Sequence, residues 1–193
     1  MGFLDIFKKQ KIEITHQLMD ENLFWSIIEH TKNSSEDLEE FAEILTEKLS
    51  KMSPNELIEF YLREQKLRFD SYTADLWCAA YIMIGGCSDD AFENFRCWLI
   101  AQGKEVFYTA LKNPDTLVEL YTSDEEDYDF EDFMYLASDA FEKKTRKDID
   151  DYVDHEQFKF CEANYPDFEF TWEVENEASM KKFCPKLMEL AWS

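Results

Sequence analysis

Apolar residues recur at three- and four-residue spacing along most of this chain. Phe24, Ile27 and Ile28 fall on one face of a helix that Asp20 can cap. After Ser34 and Asp37, the stripe Leu38, Phe41, Ala42, Leu45, Leu49 and Met52 keeps helical spacing for several turns. Ser53-Pro54-Asn55-Glu56 reads as a capping box with proline at the first helical position. From Asp75 to Ile84 the chain is apolar nearly all the way round, which predicts a helix with neighbours on several sides. Gly85-Gly86 ends it, and Ser88 opens the next helix with Asp89 and Asp90 in its first turn. That helix carries Phe92, Phe95, Leu99 and Gln102 on one face, with Trp98 to the side, and Gly103 stops it. A shorter helix over Val106 to Leu111 ends near Asn113-Pro114.

The last third has a different rhythm. Phe130, Phe133, Met134, Ala137, Ala140 and Phe141 are still helical in spacing. Phe168, Phe170, Trp172 and Val174 instead alternate with polar residues, and no partner strand is evident. An extended segment lying on helices fits that pattern. Phe183, Leu187, Leu190 and Ala191 suggest a closing helix that starts near Pro185. The chain has only 4 glycines and 4 prolines among 193 residues, too little turn punctuation for an all-β fold. The expected fold is mainly α: one domain, a multi-helix bundle with a short extended segment near the C-terminus. Residues 1–19 read as a flexible arm and 20–193 as the helical domain.

Charge narrows the function. The formal net charge is -23, so direct nucleic-acid binding and stable association with anionic membranes are not expected. Residues 114–157 hold 16 Asp or Glu against 4 Lys or Arg, the solvated face and flanks of a packed helix. Asp124, Glu125, Glu126, Asp127 and Asp129 are the candidate surface for a basic protein partner, which long-range steering would favour. Nothing in the pattern fixes an oligomeric state.

Five cysteines without a C-x-x-C suggest neither a disulfide framework nor a zinc knuckle, and a reducing, cytoplasmic setting is expected. In the opening segment the apolar residues Phe3, Leu4, Ile6 and Phe7 precede Lys8, Lys9 and Lys11, the reverse of a signal peptide. The Asp127, Asp129, Glu131 run lacks the glycine and closing glutamate of a calcium loop, so no metal site is expected. Nucleophile elbows, P-loops and dinucleotide motifs are absent, and no cofactor or catalytic residue is assigned.

The most suggestive polar set is Asp75, Asp89, Asp90 and Arg96, with Trp98 beside them. An arginine among Phe92, Phe95 and Trp98 is expected to stack and to pair with a carboxylate of a neighbouring helix, Asp75 being the candidate. Two readings follow: a structural ion pair, or a polar cleft at the Gly85–Gly103 corner that binds a small ligand.

Three blocks also carry a likeness. They are Leu76-Trp77-Cys78-Ala79-Ala80-Tyr81, Gly85-Gly86-Cys87-Ser88-Asp89-Asp90-Ala91-Phe92, and Phe95-Arg96-Cys97-Trp98-Leu99-Ile100-Ala101-Gln102-Gly103. With Asn113-Pro114-Asp115-Thr116-Leu117 and Pro185-Lys186-Leu187, they resemble the bacterial domain of unknown function numbered 4240. The likeness covers residues 20 to 145 and, beyond them, only Pro185 to Leu187. It implies a mostly helical domain and carries over no activity and no catalytic residue. The leading expectation is a non-enzymatic binding protein of the bacterial cytoplasm, of the kind that neutralises a basic toxin. Alternatives are an enzyme or small-ligand binder at the corner, and a nucleic-acid mimic.

Overall fold

The computed structural model describes residues 11–123, 128–174 and 176–192. Six helices come first: α1 (Glu21–Lys32), α2 (Leu38–Lys51), α3 (Pro54–Asp70), α4 (Ala74–Ile84), α5 (Asp89–Ala101) and α6 (Lys104–Lys112). Two 3-10 turns, Pro114–Leu120 and Glu131–Met134, precede α7 (Leu136–Thr145). Short helices α8 (Glu177–Met180) and α9 (Pro185–Ala191) close the chain. Among the described residues there is no strand, only an isolated parallel bridge between Thr15 and Val153. No described helix is long and apolar enough to cross a membrane.

Local rules set most of the helix starts. Asp20, Asp37 and Ser88 each accept a first-turn backbone N–H, as capping requires. The capping box at Ser53 is complete: the Glu56 N–H donates to the Ser53 hydroxyl, and the Ser53 N–H donates to the Glu56 carboxylate at 2.7 Å. The start of α4 falls earlier than the apolar run suggests, because the Thr73 hydroxyl accepts from Leu76 N–H. The helical run read from Phe130 to Phe141 is broken at Tyr135 into a 3-10 turn and α7.

Packing follows the apolar faces. The helix α3 touches α1, α5 and α7, and α2 packs on α1 and α7. Nearly all of α4 is buried, packed against α9, the 3-10 turn Pro114–Leu120 and α5, with the C-terminal third covering the rest. Phe168 packs on Tyr72, Phe170 on Trp77 and Trp172 on Tyr81, with the Trp172 indole N–H donating to Ala74 carbonyl at 2.8 Å. The alternating segment is therefore a strap on a helix, extended to Phe170 and bent at Thr171 and Trp172, with no partner strand among the described residues. From Lys11 onward the arm expected over 1–19 is tied to the helical domain. Thr15 and Tyr152 share a 2.9 Å hydrogen bond, Met19 N–H donates to Glu59 carbonyl, and Met19 is buried.

Candidate functional site

Gly85 sits at φ 77°, the left-handed conformation that ends α4, and the Trp77 indole N–H pins the turn by donating to Cys87 carbonyl at 3.1 Å. Gly103, at φ 92°, closes the corner differently from a simple helix stop. It is the N-cap of α6, and the Glu29 carboxylate of α1 accepts the Lys104 N–H at 2.9 Å. A Cβ on Gly103 would lie 2.5 Å from Glu29 Oε1, so any other residue must displace the Glu29 carboxylate as well as adopt an unfavourable φ.

The five corner residues do not converge on one hollow. Asp75, Asp89 and Asp90 are exposed at the starts of α4 and α5. Trp98 is buried against Phe95 and Tyr128. Arg96 is only 1% exposed and faces the interior. Its Nη1 donates to the Arg68 carbonyl at 2.7 Å and to the Tyr165 hydroxyl at 2.9 Å, and its Nε donates to Phe92 carbonyl at 3.2 Å. The guanidinium carbon lies 4.9 to 5.1 Å from the rings of Tyr165, Phe92 and Tyr72. The expected carboxylate partner is thus replaced: among the described residues Arg96 has no ion pair, and Asp75 is not what holds it. Tyr165 was invisible as a partner because it lies 69 residues away in the chain.

Beside this cage lies a network that the sequence reading missed. Glu64, 2% exposed on α3, accepts from Arg68 Nε, and Arg68 Nη1 reaches Glu93 of α5. Burial holds the Glu64 carboxyl above its ordinary range, although Arg68 pulls the other way. The i, i+4 spacing of Glu64 and Arg68 signals a pair; its burial is a tertiary matter. Cys87 is also pushed up, to about 12, by burial, so it is a poor nucleophile. The five cysteines are free, and no group of three or more His, Cys, Asp or Glu among the described residues is placed to hold a metal ion.

The second candidate region is a groove between α2 and the Asp129–Lys143 stretch, about 1000 Å³ in volume. Glu39, Glu43 and Glu47 rise along α2, one per turn, and Asp129, Glu131 and Asp132 face them. Leu38, Ala42 and Phe130 make the apolar lining, and among the described residues Lys143 is the one cation that lines it. Of the six carboxylates, only Glu47 has an ion pair within the described residues, with Lys51 at 2.6 Å. Of the acidic surface read from the sequence, Asp129 lies here, where it accepts from Asn94 at 3.2 Å. Asp124, Glu125, Glu126 and Asp127 lie outside the described residues. Asp115, counted in the acidic region, is instead buried: its Oδ1 accepts Lys186 N–H at 2.9 Å and Leu187 N–H at 3.0 Å and caps α9.

Taken together, these features define a small all-helical domain with a caged arginine under its corner and an acidic groove on its flank. A family model described as "Protein of unknown function (DUF4240)" matches residues 19–143, and the chain belongs to that family. No curated protein and no solved structure matches it.

Proposed function

We propose that this protein is a non-enzymatic binding protein of the bacterial cytoplasm that holds a basic segment of another protein in the groove along α2. The observation that supports it is a row of carboxylates over apolar side chains, nearly all of them without an ion pair among the described residues. Leu38 to Ser50 of α2 gives the groove a length of about 18 Å, enough for several residues of a helix or an extended strand. Apolar contacts from Leu38, Ala42 and Phe130 would supply affinity, while the carboxylates would set charge preference and association rate. Neutralisation of a basic toxin, as an immunity-type inhibitor does, is the form of this function that the charge of -23 favours.

The test is titration of the full chain with a labelled, lysine- and arginine-rich helical peptide at low salt. The variant Glu39→Gln/Glu43→Gln/Glu131→Gln/Asp132→Asn should weaken binding about ten- to thirty-fold, because four exposed charge contacts at about 0.5 kcal/mol each amount to about 2 kcal/mol. A control that removes four carboxylates elsewhere, at Glu156, Asp167, Glu169 and Glu189, should bind like the parent. Equal losses in both variants would reduce the interaction to net charge and overturn the groove reading.

A further inference from the structure

A second cleft, of about 290 Å³, opens between α3 and the segment that follows Asp150. We propose that it binds a small organic cation, a guanidinium or a primary amine of side-chain size. The inference stands apart from the α2 groove, with which this cleft shares no lining residue.

Aromatic side chains make part of its lining: Tyr61 from α3, with Phe158, Phe160 and Tyr165 from the C-terminal third. Ring faces in this region already hold cations. Lys66 Nζ lies 4.4 Å from the Phe160 ring centre, and the Arg96 guanidinium lies 4.9 Å from that of Tyr165. Arg96 keeps that place nearly fully buried, with carbonyl and hydroxyl acceptors and no ion pair among the described residues. An electron-rich ring face is attractive to a guanidinium or ammonium and indifferent to a neutral polar group.

The charges point the same way. Among the described residues Arg68 is the one basic side chain lining the cleft apart from His155, and Glu64 and Glu93 already match it. Asp150 and Glu162 line the same space and have no ion pair within the described residues. Asp150 accepts the Tyr61 hydroxyl at 3.0 Å, which fixes one carboxylate at the rim and leaves its second oxygen to accept from a ligand. With Phe160 held by Lys66 and Tyr165 stacked on Tyr72, a planar guanidinium could lie against Tyr61 while its N–H groups donate to Asp150 and Glu162. An anion would meet two unmatched carboxylates in a chain of net charge -23. The volume lies at the lower edge of small-molecule sites, which suits a single amine or guanidinium head on a short stem.

Calorimetric titration of the full chain with agmatine tests this, with 1,5-pentanediol as a neutral comparator and glutarate as an anionic one. Agmatine should saturate one site per chain, and neither comparator should bind. Asp150→Asn/Glu162→Gln should weaken agmatine about ten-fold while leaving the thermal midpoint in place, since both residues are exposed. Should the double variant fail to fold, Glu162→Gln alone, on a short exposed turn, serves and should weaken binding measurably. The α2-groove variant should bind agmatine as the parent does. Failure of agmatine to saturate, or a loss that follows the groove variant and not the cleft variant, would overturn the assignment.

Discussion

Arg96 offers the sharpest test of how this fold is held. Its guanidinium makes three hydrogen bonds, to the Arg68 and Phe92 carbonyls and the Tyr165 hydroxyl, inside a cage of three rings. Hydrogen bonds to a charged group contribute about 1.5–3 kcal/mol each, and the ring contacts add about 1–2 kcal/mol in a desolvated site. Desolvation of the charge cancels several kcal/mol of that sum. Removing the side chain should therefore cost about 3–5 kcal/mol net, a large share of the ordinary stability of a domain. The informative comparison is Arg96→Lys against Arg96→Met. Lysine keeps the charge but cannot place three donors in a planar fork, so it leaves a buried ammonium with unmade bonds. Methionine removes the charge and fills much of the volume. Urea unfolding should show Arg96→Lys destabilised at least as much as Arg96→Met, and Asp75→Asn within about 0.5 kcal/mol of the parent. If Arg96→Lys stays within about 1 kcal/mol of the parent while Arg96→Met loses several, charge and not geometry holds the site, and the cage argument is wrong.

Three further outcomes follow from named contacts. Gly103→Ala should lower stability by about 2 kcal/mol in the same assay, because it combines a left-handed φ with a Cβ 2.5 Å from Glu29 Oε1; a neutral result would mean that Glu29 has a ready second position. Asp115→Ala should cost about 2–3 kcal/mol and expose the C-terminal helix to proteolysis, since two first-turn N–H groups of α9 lose their acceptor; unchanged protease resistance there would refute the capping role. Burial raises the folded Glu64 carboxyl above its unfolded value, so its contribution to stability is fully present below the ordinary carboxylate pKa and is lost as pH rises through the folded value. Urea midpoints of the parent relative to Glu64→Gln should accordingly fall as pH rises from about 4 toward neutrality, and a rising difference would reverse the sign argued here.

Much of the architecture was legible because its causes are close together in the chain. Asp20, Asp37, Ser53 with Glu56, and Ser88 each satisfy backbone donors within three residues of themselves, so the caps can be read without any knowledge of the rest. Gly85 announces its turn for the same reason. Half of the acidic groove was also within reach: Glu39, Glu43 and Glu47 repeat at helical spacing away from the Leu38–Leu49 stripe. The opposing wall from Asp129 to Asp132 was visible as acidity, with no indication of what it faced.

Other features had no local signature. Arg96 was read as one half of an ion pair because an arginine among aromatics usually has a carboxylate. Two of its three acceptors lie 28 and 69 residues away, and one of these is a backbone carbonyl that no sequence pattern marks. Asp115 looked like one more acid of a charged surface, yet it is the cap of a helix 71 residues on. The amino-acid order alone determined most of the helices, most of their starts and the -23 charge, since periodicity and capping act over a few residues. Tertiary structure alone decided which polar groups went inside and what met them. Desolvation and hydrogen bonding at those places depend on neighbours that only packing brings within 3 Å or so.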